Sequence, residues 1–122
     1  MSSIFKRIDT VFLQVSDFEQ AIKWYGDVLG FKLRWKDDKG GYAALDIGET
    51  LLTLVRTNNN EKPVRKNNHI SFNFYTSDIE QAHQYLVQNA VNVEPIIEDK
   101  DVKWFKFQDL EGNDLEVCYF KE

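Results

Sequence analysis

The chain has one cysteine, two histidines and two prolines in 122 residues. A lone Cys118 excludes an intramolecular disulfide framework and any cysteine-rich zinc module. With only His69 and His83 present, any nucleophile–imidazole pair or imidazole metal site must use one of them. There is no excess of positive charge: 15 Lys plus Arg against 20 Asp plus Glu give −5, and the basic residues are scattered. Nucleic acid is therefore not an expected partner. Long apolar runs are missing too. None approaches the roughly 20 residues of a membrane helix, and the N-terminus lacks the apolar stretch of a signal peptide. The expectation is a soluble, cytoplasmic protein that does not bind membranes. What remains is an ordinary globular composition, sufficient for one core.

The polar stretch 58–68 contains Pro63 and no apolar periodicity, so it reads as a linker between a module at 4–57 and a second at 69–120, within a single domain spanning 1–122. In the first module, 4–15 reads as a strand with Val11, Leu13 and Val15 on one face and Thr10, Phe12 and Gln14 on the other. Ser16 or Asp17 caps a helix of about 13 residues on which Phe18, Ala21, Ile22, Tyr25 and Leu29 recur, with Gly30 as its left-handed stop. Strands are expected at 31–36, 42–47 and 51–57. The second module repeats the order: strand 69–76, helix 78–90, then strands 91–97, 102–108 and 114–120. Asp17-Phe18-Glu19-Gln20-Ala21 matches Asp78-Ile79-Glu80-Gln81-Ala82 at an offset of 61, half the chain length. Because the element order repeats independently, the match reads as an internal duplication.

The expected class is α+β: two β-α-β-β-β modules forming a curved, barrel-like mixed sheet around an open groove. Each helix covers one face of its sheet, and the other face is left for a small ligand. Alternation sends Trp104 and Phe105 to opposite faces, so one of the two aromatics faces that groove. Glu116 lies in an otherwise apolar run, where a carboxylate needs a partner or a hydrated cavity; an edge-strand solvent face is the alternative. His69 reads either as a strand-entrance hydrogen-bonding group or as a ligand. Cys118 reads as a small core residue, and His83 as packed between helix and sheet. Arg7, Arg34 and Arg56 read as solvated surface.

Three segments resemble the vicinal-oxygen-chelate superfamily, which includes glyoxalases, fosfomycin- and bleomycin-resistance proteins, an epimerase and extradiol dioxygenases. They are Val15-Ser16-Asp17 leading to Trp24-Tyr25-Gly26-Asp27-Val28-Leu29-Gly30-Phe31, then Asn68-His69-Ile70-Ser71-Phe72, then the segment from Phe107 through Asp109, Gly112 and Asn113 to Val117. The resemblance implies the glyoxalase/bleomycin resistance/dioxygenase fold. It also implies metal-ligand positions on the first and last strands of each module. His69 and Glu116 match those positions in the second module, but the first module has Thr10 and Thr53 there, with Leu52 the alternative if the register slips. Threonine hydroxyls are weak neutral ligands, and two firm ligands are too few for a tightly held divalent ion.

Two functional expectations follow. One is a small-molecule-binding protein, like bleomycin-resistance proteins, with no firmly bound metal, whose ligand groove is lined by Thr10, Phe12, Gln14, Thr53, Ser71 and Trp104. The other is a lyase, isomerase or transferase using Zn, Ni, Mn, Co or Fe on His69 and Glu116 with help from Thr10, a water or a ligand from another chain; a third reading, separate from both, is metal-free acid–base catalysis by Glu116. A ring-cleaving dioxygenase fits least, since a two-His, one-carboxylate site cannot be assembled. The resemblance also implies a homodimer.

Overall fold

The structure, a computed structural model, describes residues 3–57 and 70–122. His69 and the linker at 58–68 lie outside the described residues. The chain divides into two compact units, Met1–Lys62 and Pro63–Glu122.

The first unit runs β1 (Thr10–Val15), α1 (Phe18–Asp27), β2 (Lys32–Asp37), β3 (Tyr42–Asp46) and β4 (Leu51–Arg56). Its sheet has the order β1-β4-β3-β2, with β1 parallel to β4 and the other pairs antiparallel. The second unit runs β5 (Phe74–Tyr75), α2 (Ile79–Gln88), β6 (Ile97–Asp99), β7 (Val102–Gln108) and β8 (Asp114–Phe120), in the equivalent order β5-β8-β7-β6. Both expected modules are present as four-stranded mixed sheets with one helix each. Among the described residues no helix is long and apolar enough to cross a membrane.

The duplicated helix starts have duplicated physics. Asp17 accepts a hydrogen bond from the Gln20 amide at 3.2 Å, and Asp78 accepts one from the Gln81 amide at 3.0 Å. In each case a carboxylate satisfies a first-turn N–H that has no partner within the helix. Helix α1 buries Phe18, Ala21 and Tyr25, and α2 buries Ile79 and Leu86. On the sheets, Ala43, Leu45, Leu52 and Leu54 are fully buried in the first unit, and Phe105, Phe107 and Leu115 are nearly so in the second. Gly30 takes φ +77° just beyond α1, as a left-handed helix stop requires.

Three strand boundaries differ from expectation, for identifiable reasons. The first strand begins at Thr10, not at residue 4, because its partner β4 begins at Leu51 and the register sets Thr10 opposite Leu51. Ile4, Phe5 and Ile8 are consequently 88%, 80% and 67% exposed. The strand expected over 91–97 is reduced to a single bridge, Val93 to Phe107, and β6 starts only at Ile97. Pro95 interrupts it, having no N–H to give to a ladder. Of the strand expected over 69–76, the described residues 70–76 form a ladder at Phe74–Tyr75, extended by the Thr76 N–H donating to the Cys118 carbonyl oxygen at 3.0 Å.

Candidate functional site

Alternation sorts each sheet into a face under the helix and an open face. In the first unit Val11, Leu13 and Val15 share a side with Leu52 and Leu54, while Thr10, Phe12 and Gln14 share the open side with Leu51, Thr53 and Val55. Thr10 and Thr53 meet there, their hydroxyl oxygens 2.7 Å apart. The Thr10 hydroxyl also lies 2.9 Å from the Leu51 carbonyl oxygen, which can only accept. Thr10 therefore donates to Leu51, and Thr53 donates to Thr10. Thr53 is 3% exposed, so its hydroxyl needs this acceptor. Phe12, opposite Thr53 in the register, is 62% exposed, and Gln14 opposite Val55 is exposed as well.

In the second unit the open side carries Trp104, Lys106 and Gln108 from β7, facing Cys118, Glu116 and Asp114 from β8. Ile97 joins them by pairing with Trp104. Phe105 and Phe107 lie on the other side, where His83 meets Phe105 edge-on at 4.8 Å and its Nε2 is 2.9 Å from the Glu94 carbonyl oxygen. His83 thus bridges helix and sheet. Trp104 is half-buried, and Ser71 is exposed ahead of β5.

Glu116 is half-buried, and its Oε2 accepts a hydrogen bond from the Asn73 side-chain amide at 3.1 Å. Lys106 stands opposite it in the register, exposed, with no ion pair joining the two among the described residues. The adjacent row carries a second polar chain: Asn92 donates to Gln108 at 3.0 Å, and Gln108 donates to Asp114 at 3.2 Å. Each unit thus ties a side chain of its first-strand segment to one on its last strand, Thr10 to Thr53 and Asn73 to Glu116.

Two residues were not legible in the motifs. Asn73 carries the missed signal of alternation, since Ser71, Asn73 and Tyr75 interleave with Ile70, Phe72 and Phe74. Lys106 needed the β7–β8 register. Cys118 is a correction: it is not in the helix-packed core but on the open face, beside Glu116 and opposite Trp104. Burial, and then the Glu116 charge, raises its thiol pKa, the reverse of nucleophile activation. The Asp109 motif is structural. Its carboxylate accepts from the Glu111 and Asn113 amides and from the Asn113 side chain, each at 2.9 Å, and so closes the β7–β8 turn.

Of the four positions where the resemblance implies metal ligands, the described residues supply Thr10, Thr53 and Glu116, and His69 lies outside them. The first unit offers two hydroxyls that are hydrogen-bonded to each other, and in the second the Glu116 carboxylate accepts from the Asn73 side-chain amide. Among the described residues no group of three or more His, Cys, Asp or Glu is placed to hold an ion. A neutral hydroxyl is a weaker ligand for a divalent ion than an imidazole or a carboxylate.

A family model described as the Glyoxalase/Bleomycin resistance protein/Dioxygenase superfamily matches residues 7–117. The metallothiol transferase FosB of Staphylococcus saprophyticus is 32% identical over 118 residues, covering 90% of this chain and 74% of that protein. A FosB from Staphylococcus haemolyticus is 29% identical over 123 residues, covering 92% and 82%. Among solved structures, the antibiotic-binding protein TnmS3 from Streptomyces sp. CB03234 superposes with a TM-score of 0.82 at 18% identity, covering 98% of this chain and all of that one. Lactoylglutathione lyase from Agrobacterium tumefaciens gives 0.75 at 21% identity, covering 96% of each. At those identities the two structures speak for the fold alone.

Proposed function

The chain belongs to the Glyoxalase/Bleomycin resistance protein/Dioxygenase superfamily, and from that premise we propose that it binds a small organic molecule on the open faces of its sheets without a firmly bound catalytic metal. The observation that carries this reading is the Thr10–Thr53 hydroxyl pair, 2.7 Å apart, at the positions where the family resemblance implies metal ligands. Phe12 and Trp104 offer aromatic surface on those faces, while Gln14, Ser71 and Thr10 offer neutral polar groups and the buried Thr53 backs Thr10. An antibiotic-binding relative in fold, TnmS3, is consistent with sequestration. The binding protein acts as a homodimer, a reading supported by the apolar area that Ile4, Phe5, Ile8 and Phe12 present to solvent.

A second reading is favoured by one observation, the 32% identity to a metallothiol transferase. In it, a divalent ion on His69 and Glu116 would serve a transferase, lyase or isomerase, with the ion supplying Lewis-acid chemistry.

Metal content of undialysed protein, followed by calorimetric titration of Mn, Fe(II), Co, Ni and Zn into wild type, His69→Ala and Glu116→Gln, separates the two. Sequestration predicts substoichiometric metal and titrations that the substitutions leave unchanged. About one equivalent of ion, lost with either substitution, overturns it in favour of the transferase class.

A further inference from the structure

The open face of the second unit is graded along its strands. Toward the β7–β8 turn it carries Gln108 and Asp114, in the middle Lys106 and Glu116, and toward the other end Trp104, then Val102 opposite Phe120. The apolar end is accessible: Ile97, Val102 and Phe120 are 49%, 40% and 44% exposed. Polar groups at one end of a sheet face and wet apolar groups at the other suit an amphiphilic ligand, since each part meets surface of its own kind.

Glu116 determines the sign of the polar group. Asn73 holds Oε2 at 3.1 Å, and Oε1 has no partner among the described residues. A carboxylate fixed through one oxygen has lost part of its rotational freedom, so the second oxygen can accept a donor with little further ordering. Lys106 does not occupy that role, because no ion pair joins it to Glu116, and an exposed lysine keeps its ammonium in water. Trp104, diagonal to Glu116 across the β7–β8 pair, supplies an indole within reach of a ring attached to that donor.

The geometry points to a primary-amine ligand with an aromatic body: its ammonium donates to Glu116, and its ring packs on Trp104 and Ile97. This rests on the small-molecule-binding reading and names the ligand class. It gives Glu116 a different task from the one the resemblance implies, an anionic anchor for a cation in place of a metal ligand. The net charge of −5 attracts such a ligand.

Three probes sharing an indole test it: tryptamine as cation, tryptophol as neutral analogue and indole-3-propionate as anion. Their Kd values are measured by ¹H–¹⁵N chemical-shift titration on wild type, Glu116→Gln and Trp104→Leu, in chelator-treated protein at low and at high salt. The expected order is tryptamine tighter than tryptophol by about tenfold and indole-3-propionate weakest. Glu116→Gln, which keeps an acceptor for Asn73, should abolish the tryptamine advantage and leave tryptophol unchanged. Trp104→Leu should weaken both, and salt should weaken tryptamine alone. Equal affinities for the three probes, preference for the anion, or an advantage that survives Glu116→Gln overturns the assignment while leaving small-molecule binding intact. Failure of all three probes to shift residues of β7 and β8 overturns it as well. Stoichiometric metal lost with Glu116→Gln, in the separate titration, overturns the underlying reading. An unchanged amide spectrum away from position 116 certifies that the variant is folded.

Discussion

Thr53 donates its hydroxyl hydrogen to Thr10, which passes its own to the Leu51 carbonyl, so the two threonines form a directed chain across a parallel strand pair. The chain makes their substitutions unequal. Thr10→Val removes the acceptor of a buried hydroxyl and should cost about 1–3 kcal/mol, whereas Thr53→Val removes one donated bond and should cost about 0.5–1.5 kcal/mol. Urea unfolding of both singles and the double variant checks this. The double should be less destabilised than the sum, since it leaves no orphaned Thr53 hydroxyl. A larger loss for Thr53→Val than for Thr10→Val would reverse the assigned donor direction.

Asp109 receives three hydrogen bonds at 2.9 Å within the turn joining β7 to β8, the strands that carry Trp104, Lys106 and Glu116. Asp109→Ala leaves those donors without their carboxylate and should destabilise by about 2–3 kcal/mol. By calorimetry that is a Tm drop on the order of 10 °C. A drop of a degree or two would mean that water replaces the carboxylate without loss.

Gly41 and Gly30 share a left-handed backbone, φ +79° and +77°, but not their surroundings. A Cβ on Gly41 would stand 2.9 Å from the Arg56 Cβ, and one on Gly30 would meet nothing within 4 Å. Gly30→Ala should therefore cost about 1 kcal/mol, the backbone penalty alone, and Gly41→Ala about 1–2 kcal/mol more. The comparison needs only matched denaturation curves, and a larger loss at Gly30 would contradict it.

Glu80 pairs with Lys103 at 3.2 Å, and its carboxyl is held below the ordinary glutamate range, first by its own backbone N–H at the start of α2 and then by the Lys103 ammonium. A depressed folded-state pKa stabilises above the unfolded value, and that contribution is lost as pH falls through the folded one. Wild type should melt slightly above Glu80→Gln at pH 7, and the gap should close as pH falls through and below the usual glutamate range. A gap that widens in acid would give the linkage the wrong sign.

Ile4, Phe5 and Ile8, the three most exposed large apolar side chains among the described residues, precede β1. If a second copy covers them, sedimentation equilibrium should find wild type dimeric across the micromolar range. Phe5→Asp with Ile8→Asp should weaken self-association at least tenfold without lowering the two-state unfolding slope of the isolated chain. A monomeric wild type would rule out the dimer.

The types and order of elements, the duplicated caps at Asp17 and Asp78, and the sorting of Thr10, Phe12 and Gln14 from Val11, Leu13 and Val15 are local properties. They depend on side-chain period and on hydrogen bonds spanning two to four residues, and the sequence by itself determined them. The first strand's late start, the reduced strand before Ile97 and the placement of Cys118 were decided by tertiary structure. So were the Thr10–Thr53 and Asn73–Glu116 contacts, each joining residues 43 apart. Such contacts depend on register, which is fixed by pairing along whole strands and by what each strand finds beside it; a slip of one residue would turn every one of these side chains to the opposite face.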